Sequence, residues 1–359
     1  MKLFSCPSCG QRIYFENSRC LACSSDVLYD PDKVGFVLLG GQNFACRNSD
    51  EALCNWLASD AGSYCRACAL NKTIPDLSID GNRDRWIRVE AAKRRLVYSL
   101  LAFGLEVRPK QNPNEEAGIA FDFLGDPIGG GPGGEHVLTG HDNGVITLNV
   151  AEADSVEREK MRVSMGENYR TLLGHFRHEI GHYYWDRLIR DDQDRLQRFR
   201  DMFGDETADY EQALRDHYAN PPAPGWGDNH ITAYAASHPW EDWAETWAHY
   251  LHIVDTLEMA ASLGMSISAM QAKAGQLYTP TGDEKDASTE AVPFEQTLDR
   301  WIVLSNASNS INRCMGLTDL YPFVISPNVA AKLSFVDTLI GSDRKSAAAW
   351  TNEPQAVNA

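Results

Sequence analysis

The sequence predicts an α+β protein, mostly helical, with a small β-sheet and a cysteine-rich module at its N-terminus. Eight of the nine cysteines fall between Cys6 and Cys68. Beyond Asp154 the apolar residues recur at helical intervals almost throughout, and a single Asp142-Asn143-Gly144 turn signal stands between two short β-prone runs. With 359 residues, of which 43% are hydrophobic and 23% charged, the chain can bury a sizeable core and has room for two or three domains.

Charge and hydropathy exclude several partners. A formal net charge of -17 argues against nucleic acid, which needs a positive footprint on the protein. No basic n-region followed by an apolar h-region opens the sequence, and the longest apolar stretch, 96–105, is about half a membrane span. We therefore expect a soluble, cytoplasmic protein with no membrane partner. The local basic cluster of Arg83, Arg85, Arg88, Lys93, Arg94, Arg95, Arg108 and Lys110 is expected to be a solvated helix face rather than a docking face for an acidic partner.

The first module spans 1–75. Cys6-Pro-Ser-Cys9 and Cys20-Leu-Ala-Cys23 are knuckles separated by ten residues, enough for a hairpin that gathers four thiolates around one zinc. In a reducing compartment such thiols take metal rather than form disulfides. Cys46, Cys54, Cys65 and Cys68 offer a second site of the same type, though Cys46 to Cys54 is not a knuckle spacing. One or two structural zinc ions are expected.

A connecting helix follows within 76–111, with Ile87, Ala91, Val97, Leu101 and Leu105 at helical intervals. The main domain, 112–340, opens with a Gly/Pro-broken stretch, 121–134, and a β-hairpin of residues 136–139 and 145–150. Helices then dominate, interrupted by loops at 220–227 and 279–293. The tail, 341–359, is expected to be disordered.

Chemistry concentrates at His178-Glu179-Ile180-Gly181-His182, an H-E-x-x-H pattern inside a run, 169–189, that can be helical throughout. Positions four apart lie on one helix face about 6 Å apart along the axis, so both imidazoles can converge on one ion, with Glu179 beside it. His175 lies near this face. It is about 10 Å along the axis from His182, too far for both to ligate one zinc, so it lines the site or packs on a neighbour. A catalytic zinc takes three protein ligands, and the third is sought in His238-Pro239-Trp240-Glu241-Asp242-Trp243-Ala244-Glu245. There Pro239 suits a helix start, and Glu241 and Glu245 share a face, so one carboxylate can bind metal while the other supports a ligand histidine.

Glu241-Asp242-Trp243-Ala244-Glu245 resembles the E-x-x-A-E element of gluzincin metallopeptidases of the anthrax lethal factor type. The resemblance implies a zincin-like catalytic domain in which Glu241 is the third zinc ligand and Glu245 sits behind a ligand. It also implies a tyrosine seven residues before the ligand glutamate, near the scissile carbonyl, where this chain has Tyr234. The wider pattern of ribbon, Gly174-His175-Phe176-Arg177-His178-Glu179 and His238-Pro239-Trp240-Glu241 resembles a bacterial family of zinc-binding metallopeptidases with an N-terminal zinc ribbon, over nearly the whole chain. The 58 residues between His182 and Glu241 make a longer spacing than in thermolysin.

The expected activity is metalloendopeptidase action on a peptide or protein substrate. A catalytic zinc lowers the pKa of its water to about 7, Glu179 takes the proton, and Tyr234 stabilises the oxyanion, a role His230 or His238 can share. His238 and Glu245 are expected to stand behind the ligands. By the same likeness an edge strand above the metal helix receives the peptide, and 144–150, with Val145 and Thr147, is the expected edge. The competing expectation is a zinc-stabilised adaptor that binds polypeptides through the ribbon without cutting them. An adaptor has no use for Glu179 between two metal-spaced histidines.

Overall fold

The computed structural model describes residues 2–125, 137, 139–220, 222–265 and 294–350. They fall into two compact units, one of 3–199 with 340 onward and one of 200–339.

In the first unit the cysteine module is made of antiparallel pairs: β1 (Phe4–Ser5) with β2 (Arg12–Ile13), β3 (Val27–Asp30) with β4 (Gly35–Leu38), and β5 (Phe44–Ala45) with β6 (Leu57–Ala58). Strands this short bury little surface on their own. Their core is aromatic: Phe4, Phe15, Tyr29, Phe36 and Trp56 meet mostly edge-on, as in the 4.9 Å contact of Phe15 with Tyr29. Tyr98 of α1 (Asn82–Ala102) completes the cluster, 5.3 Å from Phe15 and 6.1 Å from Tyr29.

The helix α1 buries a different face from the one its spacing suggests. Trp86, Val89, Leu96, Val97 and Leu100 are buried, whereas Ile87, Ala91 and Leu101 are only half-buried. The basic cluster is not a uniformly solvated face either. Arg83 and Arg88 are exposed, but Lys93 is 0% and Arg94 5% exposed. Both are paired with the equally buried Glu90, Lys93 Nζ donating to it at 2.8 Å and Arg94 lying 4.0 Å away, which makes their burial tolerable.

A four-stranded sheet runs β7-β8-β10-β9, from β7 (Asn71–Thr73), β8 (Ala120–Leu124), β9 (Gly140–Asp142) and β10 (Val145–Asn149). Both β7 and β10 pair with β8 in parallel, and β10 pairs with β9 antiparallel. Asn143 and Gly144 link β9 to β10 with φ of 43° and 77°, the type I′ geometry that an Asn-Gly pair favours. A Cβ on Gly144 would also stand 2.3 Å from the Gly118 carbonyl oxygen, so only glycine fits.

This sheet corrects the expected edge. Val145 faces Ala120 on one side and Asp142 on the other, and Thr147 faces Asp122 and Gly140, so β10 is interior. The edge beside it among the described residues is β9. The sheet also crosses the expected boundary at residue 75, because β7 comes from the cysteine module and β8 to β10 from beyond 112.

Helices α2 (Ser155–Ser164) and α3 (Leu172–Leu188) complete this unit's main elements, and α4 (Gln193–Phe203) reaches its end. The second unit contains α5 (Tyr210–Ala219), α6 (Pro239–Ser262) and α7 (Phe294–Cys314), together with the start of α8 (Pro327–Trp350). Its core gathers Phe203, Trp243, Trp247 and Phe335. The helix α8 runs to Trp350, so it includes the first ten residues of the expected tail, 341–359. Residues 351–359 and the loop at 279–293 lie outside the described residues. No described helix is long and apolar enough to cross a membrane.

Candidate metal centres

The metal motif sits on α3. Thr171 caps it by accepting from Gly174 N–H at 3.0 Å, and no proline interrupts the run to Leu188. His178, Glu179 and His182 are 7%, 7% and 4% exposed, and the two imidazoles stand 5.0 Å apart at 81°. Tyr183 and Tyr184, next along the helix, donate to the carbonyls of Ala117 at 2.5 Å and Glu106 at 2.9 Å, fixing the helix to the chain before the sheet.

His175 is placed as a packing residue rather than a ligand. Its Nδ1 lies 2.6 Å from Glu152, which also takes Thr139 Oγ1 at 2.5 Å and Arg170 at 3.2 Å. Burial alone would raise the Glu152 pKa, but the charges and hydrogen bonds of His175 and Arg170 outweigh it and hold the carboxyl at about 2. Sequence reasoning missed Glu152, since nothing local marks a carboxylate 23 residues before its histidine.

It also missed His141 on β9. The ring lies nearly parallel to that of His182, 6.3 Å away, and its Nε2 accepts the Gly144 N–H at 2.9 Å. Burial pulls its pKa down to about 4. The imidazole is therefore neutral at pH 7, with the proton on Nδ1.

The carboxylates sit on α6. His238 is its N-cap: Nδ1 accepts from Trp240 N–H and Nε2 donates to the Ala208 carbonyl, both at 3.1 Å, with Pro239 in the first turn. Both ring nitrogens are engaged, Nδ1 by the cap and Nε2 by the Ala208 carbonyl, which leaves neither for the oxyanion role or for backing a ligand. Glu241 is 1% exposed and accepts the Tyr210 hydroxyl at 2.5 Å, a support that no sequence spacing signals. Glu245 accepts the Thr232 hydroxyl at 2.8 Å. Tyr234 is half-buried, its ring 5.7 Å from that of His217. His230 Nδ1 lies 3.1 Å from Asp242, whose same oxygen takes Lys332 at 2.5 Å.

Two groups among the described residues, each within one unit, bring possible ligand atoms within 4.8 Å of one another: Cys6/Cys9/Cys20/Cys23 and Cys46/Cys54/Cys65/Cys68. Sulfur spacing tests the fit to zinc. A tetrahedron with bonds of about 2.3 Å has edges of about 3.8 Å, whereas a disulfide brings sulfurs to about 2.05 Å. The sulfurs of Cys6 and Cys23, and of Cys9 and Cys20, stand 3.7 Å apart, and those of Cys54 lie 3.6 Å from Cys65 and 3.7 Å from Cys68. These distances fit the edges of a zinc tetrahedron and exclude disulfides between those pairs. On α3 the imidazoles of His178 and His182, one turn apart, offer two nitrogen ligands on one helix face.

These features define a zinc-binding protein with a ribbon and a helix-borne histidine motif. Residues 82–339 match the family described as "Putative zinc-binding metallo-peptidase", and residues 3–79 match a zinc-ribbon domain. The chain belongs to that metallopeptidase family. It is similar to uncharacterized proteins of Mycobacterium bovis and of two Mycobacterium tuberculosis strains, each 42% identical over 345 residues, covering 95% of this chain and 95% of theirs. No solved structure matches.

Proposed function

We propose that the protein is a gluzincin-type metalloendopeptidase whose catalytic zinc is held by His178, His182 and Glu241. The observation that carries this reading is the pair of buried imidazoles of His178 and His182, 5.0 Å apart one turn from each other on α3, with Glu179 on the intervening turn; Glu241 is the third ligand that the Glu-x-x-Ala-Glu resemblance implies. A zinc bound there supplies Lewis acidity to the scissile carbonyl and to the attacking water. Glu179 accepts the water's proton and returns it to the leaving amine. Tyr210 holds Glu241 in place through its hydroxyl.

Tyr234 or His230 donates to the oxyanion. Asp242 beside the His230 ring favours a fixed imidazole in that role. The peptide pairs with the edge strand β9 rather than with β10, and main-chain pairing there binds with little sequence preference. The two four-cysteine groups hold structural zinc. The test is digestion of a peptide library by the wild-type protein and by Glu179→Gln at equal zinc content. Cleavage by the wild type and at least a 1,000-fold loss in the variant, on the order expected for a general base with its water, supports the reading. Equal cleavage by both rejects it.

A further inference from the structure

The two four-cysteine groups differ in what lies next to them. Around Cys6, Cys9, Cys20 and Cys23 the neighbours are the β1–β2 hairpin and Ser25, and Cys9 is exposed. Cys46, Cys54, Cys65 and Cys68 are all buried, and their group opens onto a buried polar chain. Cys68 Sγ lies 3.7 Å from Glu90 Oε2. The other oxygen of Glu90 accepts from Asn71 Nδ2 at 2.7 Å and from Lys93 Nζ at 2.8 Å, and Lys93 donates to Asn71 Oδ1 as well. Asn71 opens β7 three residues after Cys68 and pairs with Phe121 of β8.

The same chain reaches the metal helix. Lys93 Nζ stands 5.7 Å above the Phe121 ring and 5.5 Å above that of Phe123. Those rings meet Phe176 edge-on at 5.5 and 6.1 Å, and Phe176 is fully buried on α3, two residues before His178.

We infer that the metal held by Cys46, Cys54, Cys65 and Cys68 positions the catalytic helix α3, through Glu90, Lys93, β7 and the Phe121/Phe123/Phe176 stack, whereas the metal at Cys6, Cys9, Cys20 and Cys23 does not. The catalytic part of this statement rests on the proposed peptidase function. Its physical basis is that a four-thiolate ion supplies the folding free energy of its loops directly. Without the ion, Cys68 and the strand that follows it lose their anchor, and a buried Glu90–Lys93 pair loses the enclosure that keeps it dry. The charge balance points the same way. One divalent ion with four thiolates carries net negative charge, the Glu90 carboxylate stands 3.7 Å from one of those sulfurs, and Lys93 and Arg94 are the buried cations that offset both. Lys93 and Glu90 are thus positioning residues.

The experiment compares full-length Cys54→Ser and Cys9→Ser with the wild type. Zinc per chain, the zinc affinity of the His178/His182 site read by chelator competition, and hydrogen–deuterium exchange over 172–188 are measured. Cys9→Ser should lose one zinc while exchange in α3 and the histidine-site affinity stay within about twofold. Cys54→Ser should lose its own zinc, raise exchange across α3 at least 10-fold and weaken zinc at the histidine site at least 10-fold. Equal effects of the two variants, or unchanged α3 exchange in Cys54→Ser, would overturn the inference.

Lys93→Met keeps all four thiols and covers the case in which Cys54→Ser does not fold. It should raise α3 exchange with the four-thiolate zinc retained, and unchanged exchange in that variant overturns the inference equally. None of these readouts needs peptide hydrolysis. A wild-type protein that cleaves nothing would count against the proposed function and leave the coupling measured.

Discussion

Replacing Glu152 with glutamine should destabilise the protein at neutral pH and do so less and less as the solution is acidified. The Glu152 carboxyl is 2% exposed and is bonded to His175, Arg170 and Thr139. Its pKa stands at about 2 rather than the ordinary 4.5, and each unit of such a difference is worth about 1.4 kcal/mol. The ionised carboxylate therefore contributes about 3 kcal/mol to folding. Since the folded pKa is depressed, that contribution is complete above pH 4.5 and disappears as the pH falls toward 2. Urea denaturation followed by tryptophan fluorescence, at pH 7 and at several acidic values, reads the difference between wild type and variant. A gap below about 0.5 kcal/mol at pH 7, the size of an ordinary surface substitution, would refute the reasoning. So would a gap that stays constant down to pH 3.

Two further predictions concern the proposed centre and its sheet. Tyr210→Phe removes the hydroxyl that donates to Glu241 at 2.5 Å, and zinc affinity measured by chelator competition should fall by about 10–100-fold with the fold intact. Thr147→Pro removes a ladder donor from an interior strand, so melting temperature and soluble yield should both fall, whereas His141→Pro on the edge strand β9 should be milder in both.

The sequence made some of this legible because the relevant chemistry is local. His178, Glu179 and His182 are set by helical spacing alone, the cysteine knuckles by hairpin spacing, and the Asn143-Gly144 turn by the need for two positive φ angles. The start of α6 was equally plain, because proline after a polar residue fits a helix N-terminus. What escaped depends on partners distant in the chain. The interior place of β10 is decided by β8, whose Ala-Phe-Asp-Phe-Leu run is covered on both faces and shows no clean alternation. Lys93 and Arg94 read as solvated charge until Glu90 is seen beside both and two phenylalanine rings against Lys93. His238 offers no sequence sign that both its nitrogens are taken up by a helix cap and a carbonyl 30 residues away. Glu152 and Tyr210, which hold His175 and Glu241, are likewise visible only once the chain is folded.

The most direct test of the central claim is the zinc content of the purified full-length protein and of Glu241→Ala, measured by elemental analysis after exhaustive dialysis. The account predicts three zinc ions per chain in the wild type, one for each four-cysteine group and one for the proposed catalytic centre, and two in the variant. Two ions in both proteins, or three in both, would contradict a zinc centre closed by Glu241.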